Sequence, residues 1–350
     1  MSVIGERIDL IPVLDLAGLG QLVDDGGVGP QVDPSPAGLD PDRVTALGVE
    51  LERALTDVGF FFIINHGVDW DLVRRVYGAA AELHAMPSDH LASIAMDAEH
   101  GGYLTYAGGT SYASQIAGEV RTPNLNAAFF IHRGGYRLGN RWPDLPGFRE
   151  LVDAYMDATT ALARRLLPVL AASLDLPATH FDEPFDDPSV TLRLSHYPPV
   201  DYGEHDWGLA PHTDSSIFTF LPANDVPGLE IRPAGHEWMT PPNLPESFLV
   251  NSGDMLKRWT NHRFRSTAHR ARNGVDAPEG SGPGSARSDR YAIPFFFGTR
   301  DDAVIEALPT CVGPEAPARH DPITYGDYQR WFLNRNYAEQ TGREASEEAP

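Results

Sequence analysis

The 350-residue sequence predicts an α+β protein with a mainly β core, and three observations predict it. In the first half, apolar residues recur at three- and four-residue steps over three segments, the mark of amphipathic helices. After Asp187 the texture changes to short β-type runs punctuated by Pro and Gly, as in a sandwich or barrel. The chain is 42% hydrophobic and 22% charged, so it has the apolar material for a substantial core.

Taken in order, Arg7 to Leu16 alternates closely enough to be a strand, and residues 17–42, rich in Gly, Pro and Asp, form an irregular loop. Val44, Leu47, Leu51, Leu55 and Val58 then mark one helical face. Phe60 to Ile64 is wholly apolar and ends in Asn65-His66-Gly67, a buried strand entering a turn. Asp69 is placed to cap a helix whose inward face is Leu72, Val73, Val76, Ala80 and Leu83. Residues 101–135 show no clear period. The longest helical signal runs from Asp144 to Leu174, and Pro168 should kink or split it, because proline removes a hydrogen bond and clashes with the preceding turn. The β-type runs that follow are Val190–Tyr197, Ser216–Leu221, Leu229–Arg232, Ser247–Val250 and Tyr291–Phe297. Residues 273–289 are a low-complexity hydrophilic loop, a last helix covers about Tyr325–Arg335, and the tail from Glu344 is expected to be disordered. The expected organisation is a helical and mixed region over 1–186, a β core over 187–340 and a tail over 341–350.

Lys and Arg number 27 against 49 Asp and Glu, a net charge of −22. That balance argues against nucleic acid and anionic membranes as partners. No run of 18 apolar residues exists, and the N-terminus lacks a basic-then-apolar leader. Cys311 has no second cysteine to pair with. These features predict a cytoplasmic protein in a reducing compartment. GxSxG, P-loop and HExxH motifs are missing, and Gly280 to Gly284 is a linker rather than a phosphate loop.

Two His-x-Asp pairs occur. His180-Phe-Asp182 lies between the long helix and the first β run and reads as a solvated capping loop. His212-Thr-Asp214 runs into a β segment, where residues i and i+2 share a face, so both side chains can chelate one ion. A hydrogen-bonded His–Asp pair is the plain alternative. His269 is the best candidate for a third donor; two imidazoles and a carboxylate form the facial triad of non-haem iron(II) oxygenases, although zinc accepts the same ligands. Arg290 opens a run so apolar that it must be buried, and a buried guanidinium needs an anion. That anion is either a structural Asp or Glu, or the carboxylate of a bound 2-oxo acid.

Together these residues resemble the isopenicillin N synthase-like family of iron(II)/2-oxoglutarate oxygenases, over nearly the whole chain. Ile11 to Leu16 and Gly59 to Gly67 look like its N-terminal signature. Leu192 to Pro199, His212-Thr-Asp214, Asn251-Ser-Gly-Asp254, Arg258 to Arg270 and Arg290 to Phe296 look like its metal- and co-substrate-binding half. The resemblance implies a double-stranded β-helix, a distorted jelly roll, with iron at its mouth. It implies His212, Asp214 and His269 as iron(II) ligands, Arg290 clamping the distal carboxylate of 2-oxoglutarate, and Tyr197 hydrogen bonding to it. Dioxygen is the oxidant and ascorbate an auxiliary reductant. The implied reaction is hydroxylation, desaturation or cyclisation of a small molecule in a biosynthetic route, of which antibiotic biosynthesis is one kind. Two rivals stay open: an oxidase that uses no 2-oxo acid, or an ethylene-forming one, and a non-catalytic iron or 2-oxoglutarate sensor.

The sequence departs from the family in places. The family's Arg-x-Ser is Arg290-Tyr291-Ala292 here, so one hydroxyl is lost, and Ser195, where Asn is common, is placed to compensate. The 273–289 loop lengthens the interval between His269 and Arg290, as a lid or as an inert insertion. The intact Asp214 disfavours the halide-accepting variant. Tyr103, Tyr106, Asn124, Asn126, Phe130 and Phe297 are the candidate substrate contacts, with core packing as the alternative for the aromatic ones.

Overall fold

The computed structural model describes residues 10–19, 38–97, 100–106, 124–135, 139–200, 207–273 and 289–341. Strand β1 (Val13–Asp15) leads to helix α1 (Pro41–Asp57). Asp40 caps that helix, its side chain accepting from the backbone of Asp42 and Arg43, with Pro41 at the first helical position. Val44, Leu47, Leu51 and Leu55 are buried, as their spacing requires. Strand β2 (Phe60–Ile64) and helix α2 (Trp70–His84) follow, and Asp69 accepts from Asp71 N as the expected cap. A short α3 (Ser88–Ser93) comes next.

The stretch without a period contains two strands, β3 (Gly102–Leu104) and β4 (Ala127–Arg133). Strand β4 is buried on both faces, so its sequence AAFFIHR shows neither alternation nor turn signals. Pro168 splits the long helix: α4 (Phe148–Arg165) ends and α5 (Leu167–Ala172) begins on either side of Leu166. Helix α1 packs on α5 so closely that a Cβ at Gly48 would lie 2.8 Å from Ala172 Cβ.

The C-terminal half supplies β5 (Val190–Tyr197), β6 (Leu209–His212), β7 (Phe218–Pro222), β8 (Leu229–Arg232), β9 (Phe248–Ser252), helix α6 (Asp254–Trp259), β10 (Ala268–Ala271), β11 (Arg290–Ala292) and β12 (Phe295–Phe297). The run expected as one strand from Tyr291 is thus two, broken at Ile293-Pro294, where proline cannot donate to the ladder. Helix α7 (Tyr325–Thr341) extends beyond the expected end. Most of the 273–289 loop and the tail from 342 lie outside the described residues.

Nine strands form one sheet in the order β1-β2-β9-β7-β12-β5-β4-β3, with β11 also paired to β5. The N-terminal strands therefore close both ends of a sheet whose middle is C-terminal. A second sheet has the order β6-β10-β8. Strand β2 shows how the layers divide. Phe61 and Ile63 enter the main core with the helices, while Phe60 and Phe62 turn to Ile231 and Leu249, between the sheets. The architecture is a jelly roll backed by helices on one face. Among the described residues no helix is long and apolar enough to cross a membrane.

Candidate active site

His212 ends β6 and His269 lies opposite it on β10, a cross-strand pair whose ring centroids are 4.2 Å apart. Asp214 lies beyond the end of β6, in the bend leading to β7. A turn, rather than the pleat of a continuous strand, brings the carboxylate beside the imidazoles. Its Oδ1 is 3.5 Å from His269 Nε2 and 3.8 Å from His212 Nε2. All three residues are buried, and their ligand atoms lie within 4.8 Å of one another.

The surroundings aim these atoms. His212 Nδ1 donates to Ala210 O at 2.7 Å and His269 Nδ1 to Thr267 O at 3.2 Å, which turns each Nε2 inward. Asp214 Oδ2 accepts from Thr219 Oγ1 at 2.6 Å and from Asn251 Nδ2 at 2.8 Å, so Oδ1 alone faces the imidazoles. The bend itself is held by Asp254, whose N–H donates to Asp214 O at 2.7 Å. Asp254 Oδ2 also accepts from Thr213 Oγ1 at 2.9 Å. At Gly253 a Cβ would sit 2.2 Å from Ser216 O, so glycine is required for this approach. Asn251 and Asp254 belong to the resembling Asn-Ser-Gly-Asp segment; their work is to orient the carboxylate.

Burial, with His269 adding to it, pushes the His212 imidazole down to about 3. Burial would raise the Asp214 carboxyl, but His269, His212 and the Asn251 hydrogen bond outweigh it and hold it low. Burial likewise opposes charge on His269, and the adjacent Asp214 overcomes that and raises it. Burial thus favours the neutral, metal-binding form of His212 while Asp214 is held as a carboxylate, the forms in which such groups ligate a cation. Two imidazoles and one carboxylate oxygen on one side of a buried point suit a first-row divalent ion with open positions opposite.

Two small chambers meet at this point, sharing Arg193, His212, Asp214 and Phe296 as a common wall. The first lies between the sheets and includes Arg290, Tyr197, Ala292 and Asn251. Arg290 is 3% exposed, and its Nε and Nη1 have no hydrogen-bond partner among the described residues. Its Cζ lies 5.0 Å over the ring of Tyr197, its cross-strand partner. Gly228 leaves room for it, since a Cβ there would be 2.8 Å from Arg290 Cδ. Among the described residues, no structural Asp or Glu takes up these donors. A buried guanidinium with idle donors fits a ligand carboxylate.

Ser195 pairs with Ala292 on one side and Ala128 on the other, and its buried Oγ has no partner among the described residues. It does not itself line either chamber. Among the candidate substrate residues, Phe130 lines the second chamber. Asn126 Oδ1 accepts from Arg193 at 2.8 Å. Asn124 Oδ1 accepts from Ala210 N at 2.9 Å, bracing β6. Three others lie away from both chambers. Tyr103 faces the main core, its hydroxyl 3.1 Å from His84 Nδ1. Tyr106 is exposed and lines neither chamber. Phe297 is fully buried and stacks on Phe185 at 5.0 Å. The chamber residue is Phe296, on the same face as Arg290 and Ala292. His180-Phe-Asp182 lies in a turn with Asp182 exposed, as its capping-loop reading expects. Arg193 is the residue that sequence reasoning misses: it lies within a recognised segment but receives no role of its own there.

Residues 188–299 match the family model described as 2OG-Fe(II) oxygenase superfamily, and residues 29–144 match non-haem dioxygenase in morphine synthesis N-terminal. The chain is 30% identical to homoarginine-6-hydroxylase 2-ODD-C23.1 of Arabidopsis thaliana, over 78% of this chain and 84% of that one. It is also 30% identical to the 2-oxoglutarate-Fe(II) type oxidoreductase hxnY of Emericella nidulans, over 83% and 85%. The crystal structure of a full-length Neurospora crassa protein in complex with alpha-KG and thymine shares the fold, with TM-score 0.77 at 22% identity over 94% and 97% of the two chains.

Proposed function

This chain belongs to the 2OG-Fe(II) oxygenase superfamily, and from that premise we propose how its own residues divide the work. It is an iron(II)- and 2-oxoglutarate-dependent dioxygenase that oxidises a small molecule. His212 Nε2, His269 Nε2 and Asp214 Oδ1 hold the metal. Arg290 takes the distal carboxylate of 2-oxoglutarate in the first chamber, over the Tyr197 ring and with that residue's hydroxyl as a second donor. Ser195, opposite Ala292 on β5 but outside the chamber lining, would stand in for the missing hydroxyl by turning its unpartnered Oγ toward that carboxylate. The observation that carries this reading is that one buried chamber is lined both by three converging ligand residues and by a guanidinium that no carboxylate among the described residues pairs.

When bound, iron and 2-oxoglutarate supply the activation of dioxygen, with succinate and carbon dioxide as co-products. The protein's part is to hold the metal from one side, fix the co-substrate at its far end, and position one C–H bond away from bulk water. The substrate occupies the second chamber, against Phe130 and Phe296. The product belongs to a biosynthetic route, and a ferrous site in a chain with a single cysteine suits the reducing cytoplasm.

Anaerobic addition of iron(II) and 2-oxoglutarate tests this reading. A visible charge-transfer band should appear in the native protein and be lost in His269→Ala. A native protein that binds iron without developing that band would overturn the co-substrate assignment. Succinate formed per dioxygen consumed then separates a 2-oxoglutarate-dependent enzyme from an oxidase.

A further inference from the structure

The metal and Arg290 leave one charged group in the shared wall without a task. Arg193 is 6% exposed and lies between both chambers. Its Nη2 donates to Asn126 Oδ1 at 2.8 Å, and its Cζ sits 5.3 Å from the Phe130 ring centroid. Its Nε has no partner, and no carboxylate among the described residues pairs with it. A neutral amide and a ring face do not neutralise a guanidinium removed from water, so the site is built around a charge it does not itself balance. Asn126, in turn, is anchored to Gly208 O and so fixes the plane of the guanidinium.

We propose that Arg193 is the specificity determinant for a substrate bearing a single carboxylate, on a body with an aromatic or aliphatic face that packs in the second chamber. Three observations select this class. Arg193 is the one Lys or Arg among the described residues lining the second chamber, which matches a monoanion rather than a dianionic phosphate. Its unpartnered Nε belongs to a planar guanidinium, the donor geometry that carboxylates match. Phe130, Phe296, Phe332, Leu333 and Tyr337 give the wall an apolar side, alongside polar residues such as Thr191, Ser216 and Gln329, so the substrate presents a hydrocarbon or aromatic face to that side. Because Arg193 shares the wall with His212 and Asp214, the acid end of the substrate is held near the metal side and the oxidised C–H bond lies within a few carbons of it. The assignment of chambers rests on the proposed function above.

The test uses matched acids and amides as probes: phenylacetate, trans-cinnamate, 4-phenylbutyrate and cyclohexanecarboxylate, each beside its primary amide. Anaerobic calorimetry on the iron(II)- and 2-oxoglutarate-loaded protein should show at least one acid binding roughly 10- to 100-fold more tightly than its amide, the range for losing a charge-assisted hydrogen bond. Arg193→Met should erase that preference while leaving 2-oxoglutarate affinity unchanged, and Arg193→Lys should restore part of it. No acid exceeding its amide, whether because neither binds or because both bind alike, overturns the proposal. So does a preference that survives Arg193→Met, or a loss that falls on 2-oxoglutarate instead. Repeating the titrations on metal-free protein, with Arg290→Leu as the comparison, separates the two readings. A preference there that Arg193→Met removes and Arg290→Leu leaves would stand even if the iron and 2-oxoglutarate assignment failed.

Discussion

The two chambers are alike in size and each holds a buried arginine lacking a carboxylate partner among the described residues, yet they differ in what surrounds that arginine. Arg290 lies over Tyr197, in a gap that a glycine keeps open, and its chamber also contains the Asn251 that orients Asp214. Arg193 is already held by Asn126 and covered by Phe130, and α7 supplies much of the wall beyond it. The first chamber is assembled almost wholly from strands, and the second from strands, the segment after β6 and the last helix. A rigid strand-built pocket suits a co-substrate that never changes. A pocket walled by a terminal helix is the one that can vary among related enzymes without disturbing the metal.

Substitutions break this comparison in graded ways. His212→Ala or Asp214→Ala removes the common wall and should lower turnover at least about a thousandfold, with iron content after anaerobic loading as the check. Arg290→Leu should act on one side only. Its KM for 2-oxoglutarate should rise on the order of 100-fold, since a two-point charged contact is lost, while kcat at saturation changes far less. Initial-rate measurements over a 2-oxoglutarate series decide that. Asn251→Ala should weaken iron binding by roughly 10- to 100-fold through loss of the hydrogen bond to Asp214 Oδ2, read by metal competition. Ser195→Ala should raise the 2-oxoglutarate KM only a few-fold, and Ala292→Ser in that background should restore it; failure of the rescue would remove Ser195 from the site. His180→Ala should leave kinetics and iron content unchanged, which separates the two His-x-Asp pairs.

Much of this is legible from residues, and the misses have physical causes. The ligand pair His212 and Asp214 is visible from spacing, although a bend and not a strand supplies the geometry. Arg290 is visible because charge opening an apolar run demands an anion. The same logic extends to Arg193, the single cation inside Val190–Tyr197, but there the strand's β character draws attention and the charge does not. Counting in twos from Arg290 along the strand face reaches Phe296, whereas Phe297 belongs to the core side. Strand β4 escapes because double-sided burial erases alternation, and only its pairing with β5 shows it to be structural. Asn251 and Asp254 stand out as a segment, but hydrogen bonds across a bend leave no periodic trace.

The partition between the chambers is a few side chains thick, formed by Arg193, His212, Asp214 and Phe296. A bisubstrate inhibitor could therefore join a co-substrate mimic to an acidic fragment through a very short tether. Each half would need only modest affinity, because the first to dock raises the local concentration of the second to the millimolar range or above. Selectivity among related enzymes would then be set by the half that meets the helix-walled compartment.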